Sequence, residues 1–444
     1  MVEARRPWQD GPQVIADGTG DDARMMRLDW WLAFALAMLS MKQIKALEYL
    51  GPGEMIFLII ALMGVVMRPK LPQLQARFIS FQLSMGIIVA LGLSFTISTG
   101  LKVVATGSSG QAAMVDGLSV WASIGITYVI VRAVGGERAL RVLVWSCVIA
   151  AIANALVLFV TDVTGIKTIG PMEFYFYTRF QGLSSDPNQL SRICAVAPFL
   201  VTVEYLRYAH GGKARFFLIL GLLCAVALGI DSESQTCWVA WAGGGCMSMV
   251  VFAMQRAENG RFGPIGLLAL LSMLLWGAAM IVFLIVNRHV GLVGELFTYL
   301  SDEGGSQREE IAAATFNTVK SAALFGFGFG QHVPWETRAH GTILMESHNV
   351  ILDCVVRGGV AGLGLFIIAA VLALAGAVRM RGAAIAGLVV ASLLFGLGVT
   401  PIRQPIFWLV IVIAASGGWR RLAPASRREE GPQLSGTGLL SAVR

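Results

Sequence analysis

Residues 142–160 read VLVWSCVIAAIANALVLFV, nineteen positions without a charge, entered from Arg141 and left through Thr161 and Asp162. A helix rises 1.5 Å per residue, so a run of about 20 apolar residues matches the ~30 Å hydrocarbon core of a bilayer. Working outward, windows of the same kind recur about twelve times, at 29–47, 52–67, 77–98, 114–131, 142–160, 189–206, 216–230, 236–254, 263–286, 349–378, 383–400 and 403–418. Lys42 and Lys45 interrupt the first, and the last is short. Of the 444 residues, 56% are hydrophobic and 14% charged, against roughly 25% charged in soluble domains. Mean hydropathy is +0.70. These values exclude a typical soluble enzyme. They predict an all-α, polytopic integral membrane protein of about 12 transmembrane helices with a long extracytoplasmic loop between helices 9 and 10.

The 34 basic residues exceed the 27 acidic ones by 7, and the excess sits in short loops between apolar runs. That is a topology signal and not a nucleic-acid surface. Of the 34, 22 fall in the tails and the loops after even-numbered helices, among them Arg5, Arg6, Arg68, Lys70, Arg132, Arg138, Lys213, Arg215, Arg256, Arg420 and Arg421. Cytoplasmic loops are enriched in Lys and Arg, so both termini are expected inside. The domains then read as a disordered cytoplasmic tail at 1–27, a transmembrane bundle at 28–418 and a basic cytoplasmic tail at 419–444. The stretch after Arg6 is polar and Gly-rich, so no signal-peptide core follows it. Six cysteines lie in or beside apolar runs without a CxxC pair or a histidine cluster. Neither a disulfide framework nor a zinc site is indicated.

Three outward loops, 161–188, 231–236 and 287–347, hold nearly all the unusual polar residues. The first carries the aromatic run Phe174 to Tyr177 and then Arg179-Phe-Gln-Gly-Leu-Ser-Ser-Asp-Pro-Asn188; the second is Asp231-Ser-Glu-Ser-Gln-Thr236. The third is too long for a simple turn, and such loops are usually functional. In it Ser306 and Glu309 have capping-box spacing, so a helix is expected to start there. The glycines of Phe325-Gly-Phe-Gly-Phe-Gly330 end it, and His348-Asn349 stands at the mouth of helix ten.

Arg179 and Gly182 with Pro187-Asn188, Gly326 and Gly328 before the long helix, and His348-Asn349 followed by Gly359 and Gly362 resemble the bacterial O-antigen ligase and polymerase family. The resemblance spans about residues 170–365. It implies a metal-independent glycosyltransferase without a cofactor, working outside the inner membrane on glycans carried by undecaprenyl pyrophosphate. By this resemblance Arg179 and Arg308 bind the donor pyrophosphate and His348 is the catalytic base. Gly182, Asn188, Ser234, Gly326, Gly328 and Asn349 support the loops. Implied partners are the lipid-linked donor, a glycan or lipid-linked acceptor, the bilayer, and polysaccharide export and chain-length proteins, with no nucleic acid. The chemistry agrees: a guanidinium pairs bidentately with phosphate oxygens, and an imidazole accepts a proton near neutral pH. Relatives commonly have Ser-Arg where this chain has Ser234-Gln235, and an acid where it has Arg357. Asp353, four residues before Arg357, is placed to pair with it on one helix face.

Plainer readings stand beside these. Arg179 also suits an interfacial arginine reaching headgroups, Arg308 a solvated residue paired to Glu309 or Glu310, and His348 a helix cap. The Phe174 to Tyr177 run also suits an aromatic belt, and Phe325 to Gly330, lacking a Lys and a preceding strand, suits packing better than phosphate binding. Asp231 and Glu233 are too few ligands for a metal site. A polymerase of lipid-linked repeat units is the leading functional reading. The alternatives are a ligase to lipid A core or another acceptor, a transporter or flippase, and a non-catalytic assembly subunit. The deep helix centres are nearly free of charge, with Arg192, Arg357 and Arg403 near helix ends, which disfavours a transporter.

Overall fold

The computed structural model describes residues 27–44, 51–66, 75–106, 110–176, 179–207, 211–258, 317, 324–330, 333–337, 341–345, 349–379 and 382–416. Residues 1–26 of the N-terminal tail, the C-terminal tail, the window at 263–286, the helix start at Ser306, Arg308 and His348 lie outside the described residues, and Arg27, expected in the tail, opens α1. The protein is mostly helical, with α1 (Arg27–Ser40), α2 (Pro52–Val66), α3 (Gln75–Thr106), α4 (Gln111–Thr164), α5 (Pro187–Arg207), α6 (Gly212–Asp231) and α7 (Gln235–Glu258). After them come α8 (Val350–Arg379), α9 (Ala383–Gly396), a single 3-10 turn (Pro401–Arg403) and α10 (Pro405–Ala415). Among the described residues five helical stretches are long and apolar enough to cross a membrane: Phe81–Val104, Ala113–Thr164, Gly212–Asp231, Gln235–Gln255 and Val350–Arg379. Apart from 263–286, each apolar window coincides with a helix or part of one. Among the described residues six short strands form three antiparallel pairs: β1 (Thr168–Ile169) with β2 (Met172–Glu173), β3 (Tyr175–Phe176) with β4 (Arg179–Phe180), and β5 (Val333–Thr337) with β6 (Gly341–Met345).

Windows 114–131 and 142–160 were expected to be separate helices joined by a basic loop; the chain instead stays helical across Arg132–Arg141 except at Gly135. Gly135 has φ 77° and ψ 165°, a region that only glycine occupies readily. The surrounding Arg132-Ala-Val and Glu137-Arg-Ala-Leu-Arg141 are good helix formers that continue the helix on both sides. Asp116 and Asn154 are 38 positions apart (154 − 116), which would separate them by about 57 Å along a straight helix. Yet Asn154 holds the loop that bonds to Ser40, and Ser40 shares one cavity with Met114 and Arg403. The chain therefore folds back at Gly135, and 111–134 and 136–164 are two bilayer-length helices whose ends distal to Gly135 lie on the same side of the bundle.

Close packing of backbones holds the rest of the bundle. Gly244 on α7 faces Gly387 on α9, where a Cβ on Gly244 would lie 2.7 Å from the Gly387 carbonyl oxygen. Small residues facing one another are how membrane helices gain dispersion contacts without a hydrophobic driving force. Short α10 lies at the centre, buried from Ile406 to Ala414, and Trp408 donates its indole N–H to the Ile402 carbonyl at 2.7 Å. Away from the loop cluster, Arg138 pairs with Asp29 at 2.6 Å and Arg141 with Glu204 at 3.7 Å.

Candidate functional site

The loop between α4 and α5 is built around two buried aromatic side chains. Phe174 and Phe180 are buried, Phe176 is exposed, and Tyr175 meets Phe180 edge-on at 5.4 Å between ring centres. Of the run expected as an aromatic belt, Phe174 belongs to the core and Phe176 is exposed, while Tyr177 lies outside the described residues. Burial pushes the Tyr175 phenol above its ordinary pKa, with Asp162 and Asp231 adding to the rise and a hydrogen bond with Thr161 opposing it. The phenol donates to Asp162 Oδ1 at 3.3 Å.

The chain then turns at Gly182, whose φ of 57° lets it pass against Asn154. Buried Asn154 Oδ1 accepts the Leu183 amide at 2.7 Å. Gln43, just past α1, donates to the Gly182 carbonyl at 3.0 Å and the Ser184 carbonyl at 2.6 Å, and its Oε1 accepts the Glu173 amide at 2.8 Å. Ser184 Oγ donates to the Ser40 carbonyl at 3.0 Å. The loop from 179 to 186 is thereby pinned to the C-terminal end of α1, and α5 begins at Pro187, where a missing N–H costs nothing.

Arg179 donates from Nε to the Ser232 carbonyl at 3.0 Å and from Nη2 to Asn188 Oδ1 at 3.3 Å. It thus ties the loop between α4 and α5 to the turn between α6 and α7 and to the start of α5. Ser232 and Ser234 are buried in the tight turn between α6 and α7, where Glu233 adopts φ 50°. Arg179, Gly182, Asn188 and Ser234 therefore belong to one connected region.

Gly326, Gly328 and Asn349 belong to a second. Helix α8 breaks at Gly359, with φ 61° and ψ −154°, which leaves nearby carbonyls without helical partners. The glycine run supplies them: the Phe327 amide donates to the Val356 carbonyl at 2.6 Å and the Gly328 amide to the Arg357 carbonyl at 2.9 Å. The Phe329 amide donates to Thr99 Oγ1 at 2.8 Å, the Gly330 amide to Asp116 Oδ2 at 2.7 Å, and Ser98 Oγ to the Phe325 carbonyl. A Cβ on Gly326 would lie 2.6 Å from the Gly359 nitrogen, so only glycine permits this approach. Four successive amides are committed to protein acceptors, which makes the run a packing element rather than an anion cradle. Asn349 caps α8, its Oδ1 accepting the Ile351 amide at 2.9 Å and the Leu352 amide at 3.3 Å.

Within this region lies a chain of alternating charges. Fully buried Arg357 donates from Nε to Asp353 Oδ1 at 2.9 Å, the pairing its spacing implied, and from Nη1 to Asp116 Oδ2. Asp116 Oδ1 accepts Arg403 Nε at 2.6 Å. Sequence reasoning passed over Asp116. The signal was present, because it is the one acid in an otherwise uncharged window, and such residues are seldom idle in a membrane.

A groove of about 500 Å³ is lined by Gln189, next to Asn188, and by Arg403, the partner of Asp116. Its walls are largely apolar, with Leu36 and Leu39 of α1, Met114, Leu118 and Ile126 of α4 and Ile193 of α5. Ser40, Lys42, Glu54, Gln189, Arg403 and Gln404 also line it. Among the described residues no group of three or more His, Cys, Asp or Glu side chains is placed to hold a metal ion. Compared with known proteins, the chain matches no family model and no curated protein significantly.

Proposed function

We propose that the protein is a metal-independent membrane glycosyltransferase of the O-antigen ligase and polymerase type. It polymerises undecaprenyl-pyrophosphate-linked oligosaccharide repeat units of a surface polysaccharide on the periplasmic side of the inner membrane. The observation that carries this reading is the groove, apolar along most of its walls and lined also by Lys42, Arg403, Gln189 and Gln404. A lipid-linked pyrophosphate needs hydrocarbon for its chain and cations for its head. Outside the cytoplasm no nucleotide sugar is supplied, so the donor carries its own leaving group.

In the reaction the acceptor hydroxyl oxygen attacks the anomeric carbon while the bond from that carbon to the pyrophosphate oxygen breaks. Lipid pyrophosphate leaves with the electron pair, and the imidazole of His348 takes the hydroxyl proton. One displacement inverts the anomeric configuration. Arg308 supplies charge to the leaving group, and Arg179 fixes the start of α5, from which Gln189 lines the groove. Cells lacking the protein are expected to accumulate single lipid-linked repeat units. Long chains stranded on the carrier would overturn the polymerase reading in favour of a ligase. In reconstituted protein with purified donor, His348→Ala should lower turnover by roughly 10²–10⁴-fold with donor binding retained, and chelator should leave wild-type turnover unchanged. Wild-type turnover in folded His348→Ala protein would remove the base assignment.

A further inference from the structure

Two cations, Lys42 and Arg403, line the groove, and neither belongs to the motifs that carried the resemblance. Arg403 ends the 3-10 turn that starts at Pro401 and lies two residues before Pro405. Prolines on both sides restrict the backbone that presents it. Its guanidinium is oriented by Asp116, which accepts the Nε proton at 2.6 Å. Asp116 is itself held in place, because its other oxygen accepts the Gly330 amide at 2.7 Å and Nη1 of Arg357. Arg357 is in turn anchored on Asp353 at 2.9 Å. The Asp116 side chain is 5% exposed, whereas that of Arg403 remains 27% exposed. The network therefore fixes one edge of a cation that still reaches the groove. Such preorganisation reduces the ordering cost of binding an anion.

We propose that Lys42 and Arg403 bind the diphosphate of an isoprenoid lipid whose chain lies along Leu36, Leu39, Met114 and Leu118, and that Asp116 is the positioning residue for Arg403. The proposal rests on the reading of the donor as a lipid diphosphate and deepens it by naming where the head sits. Two cations match two phosphates, whereas a bulk phospholipid offers one. Glu54 also lines the groove, where its Oε2 accepts the Gly51 amide at 3.1 Å.

The test uses the full-length protein in nanodiscs of phosphatidylcholine, titrated with undecaprenyl pyrophosphate and read by native mass spectrometry. Arg403→Gln and Lys42→Gln should each weaken binding about tenfold or more, as loss of a charge-assisted contact does. Arg403→Lys should recover part of the loss, because it keeps the charge but not the fork. Asp116→Asn should raise KM for the donor with kcat changed less than about threefold, a split that a merely structural role does not produce. Arg138→Gln, in the ion pair with Asp29 away from the groove, should bind as the wild type does. Wild-type affinity in folded Arg403→Gln and Lys42→Gln overturns the proposal, as does displacement of the probe by equimolar phosphatidylglycerol. If the glutamine variants fail to fold, Arg403→Lys and Lys42→Arg carry the test, and unchanged affinity in Arg403→Lys counts against the fork. Variant-sensitive binding without glycan transfer by the wild type supports the site and overturns the transferase reading instead.

Discussion

Replacing Arg357 with methionine keeps most of the side-chain volume and removes its charge from the centre of the ionic network. The Arg357 side chain is 1% exposed, and those of Asp353 and Asp116 are 4% and 5% exposed. The substitution takes from Asp353 its cation at 2.9 Å and leaves Asp116 to Arg403 at 2.6 Å and the Gly330 amide at 2.7 Å. Breaking one partner out of a buried ion pair costs about 3–5 kcal/mol, because the remaining charge stays desolvated. Replacing both partners by apolar groups of similar size is close to neutral in comparable sites. Arg357→Met should therefore lose about 3–5 kcal/mol, and Asp353→Leu with Arg357→Met should lose about half as much or less. Unfolding of purified protein in detergent by an SDS titration, followed by tryptophan fluorescence, measures both. A loss below about 1 kcal/mol in Arg357→Met, or a double variant no more stable than the single one, would refute the reasoning that the network is a desolvated pair system.

Gly359→Ala tests the break in α8. Its φ of 61° and ψ of −154° cost a non-glycine residue about 1–3 kcal/mol, and its Cβ would also lie 2.6 Å from the Phe325 nitrogen. The unfolding transition should fall accordingly, while Gly364→Ala in the same helix, with open space around its Cβ, should be neutral or stabilising; equal effects would remove the special role of Gly359. Asn154→Ala leaves the Leu183 amide without its acceptor at 2.7 Å, a loss of about 1–3 kcal/mol. Hydrogen exchange should speed up in residues 179–186 and not in α9, and unchanged protection of that loop would show that Asn154 does not hold it.

Legibility differed by element. The windows at 189–206 and 349–378 anticipated α5 and α8 to within two residues at each end, because apolar runs and flanking Pro187 and Asn349 are local signals. The pairing of Asp353 with Arg357 was legible for the same reason, since four residues make one helical turn. The basic stretch from Arg132 to Arg141 misled, because charge content marks a loop only on average, and nothing in Val134-Gly-Gly-Glu137 announces that helix resumes at once.

What the sequence by itself determined is the solvent: an uncharged run of nineteen residues such as 142–160 is stable only where it is removed from water, whatever its neighbours are. What only the tertiary structure decided is which distant charges share a site. Asp116 meets Arg357 across 241 positions and Arg403 across 287. Those pairings depend on the fold-back at Gly135, the break at Gly359 and the loop that fills it. Helix periodicity acts over a few residues, but a buried charge is satisfied by whichever partner packing delivers, and packing is a property of the whole bundle.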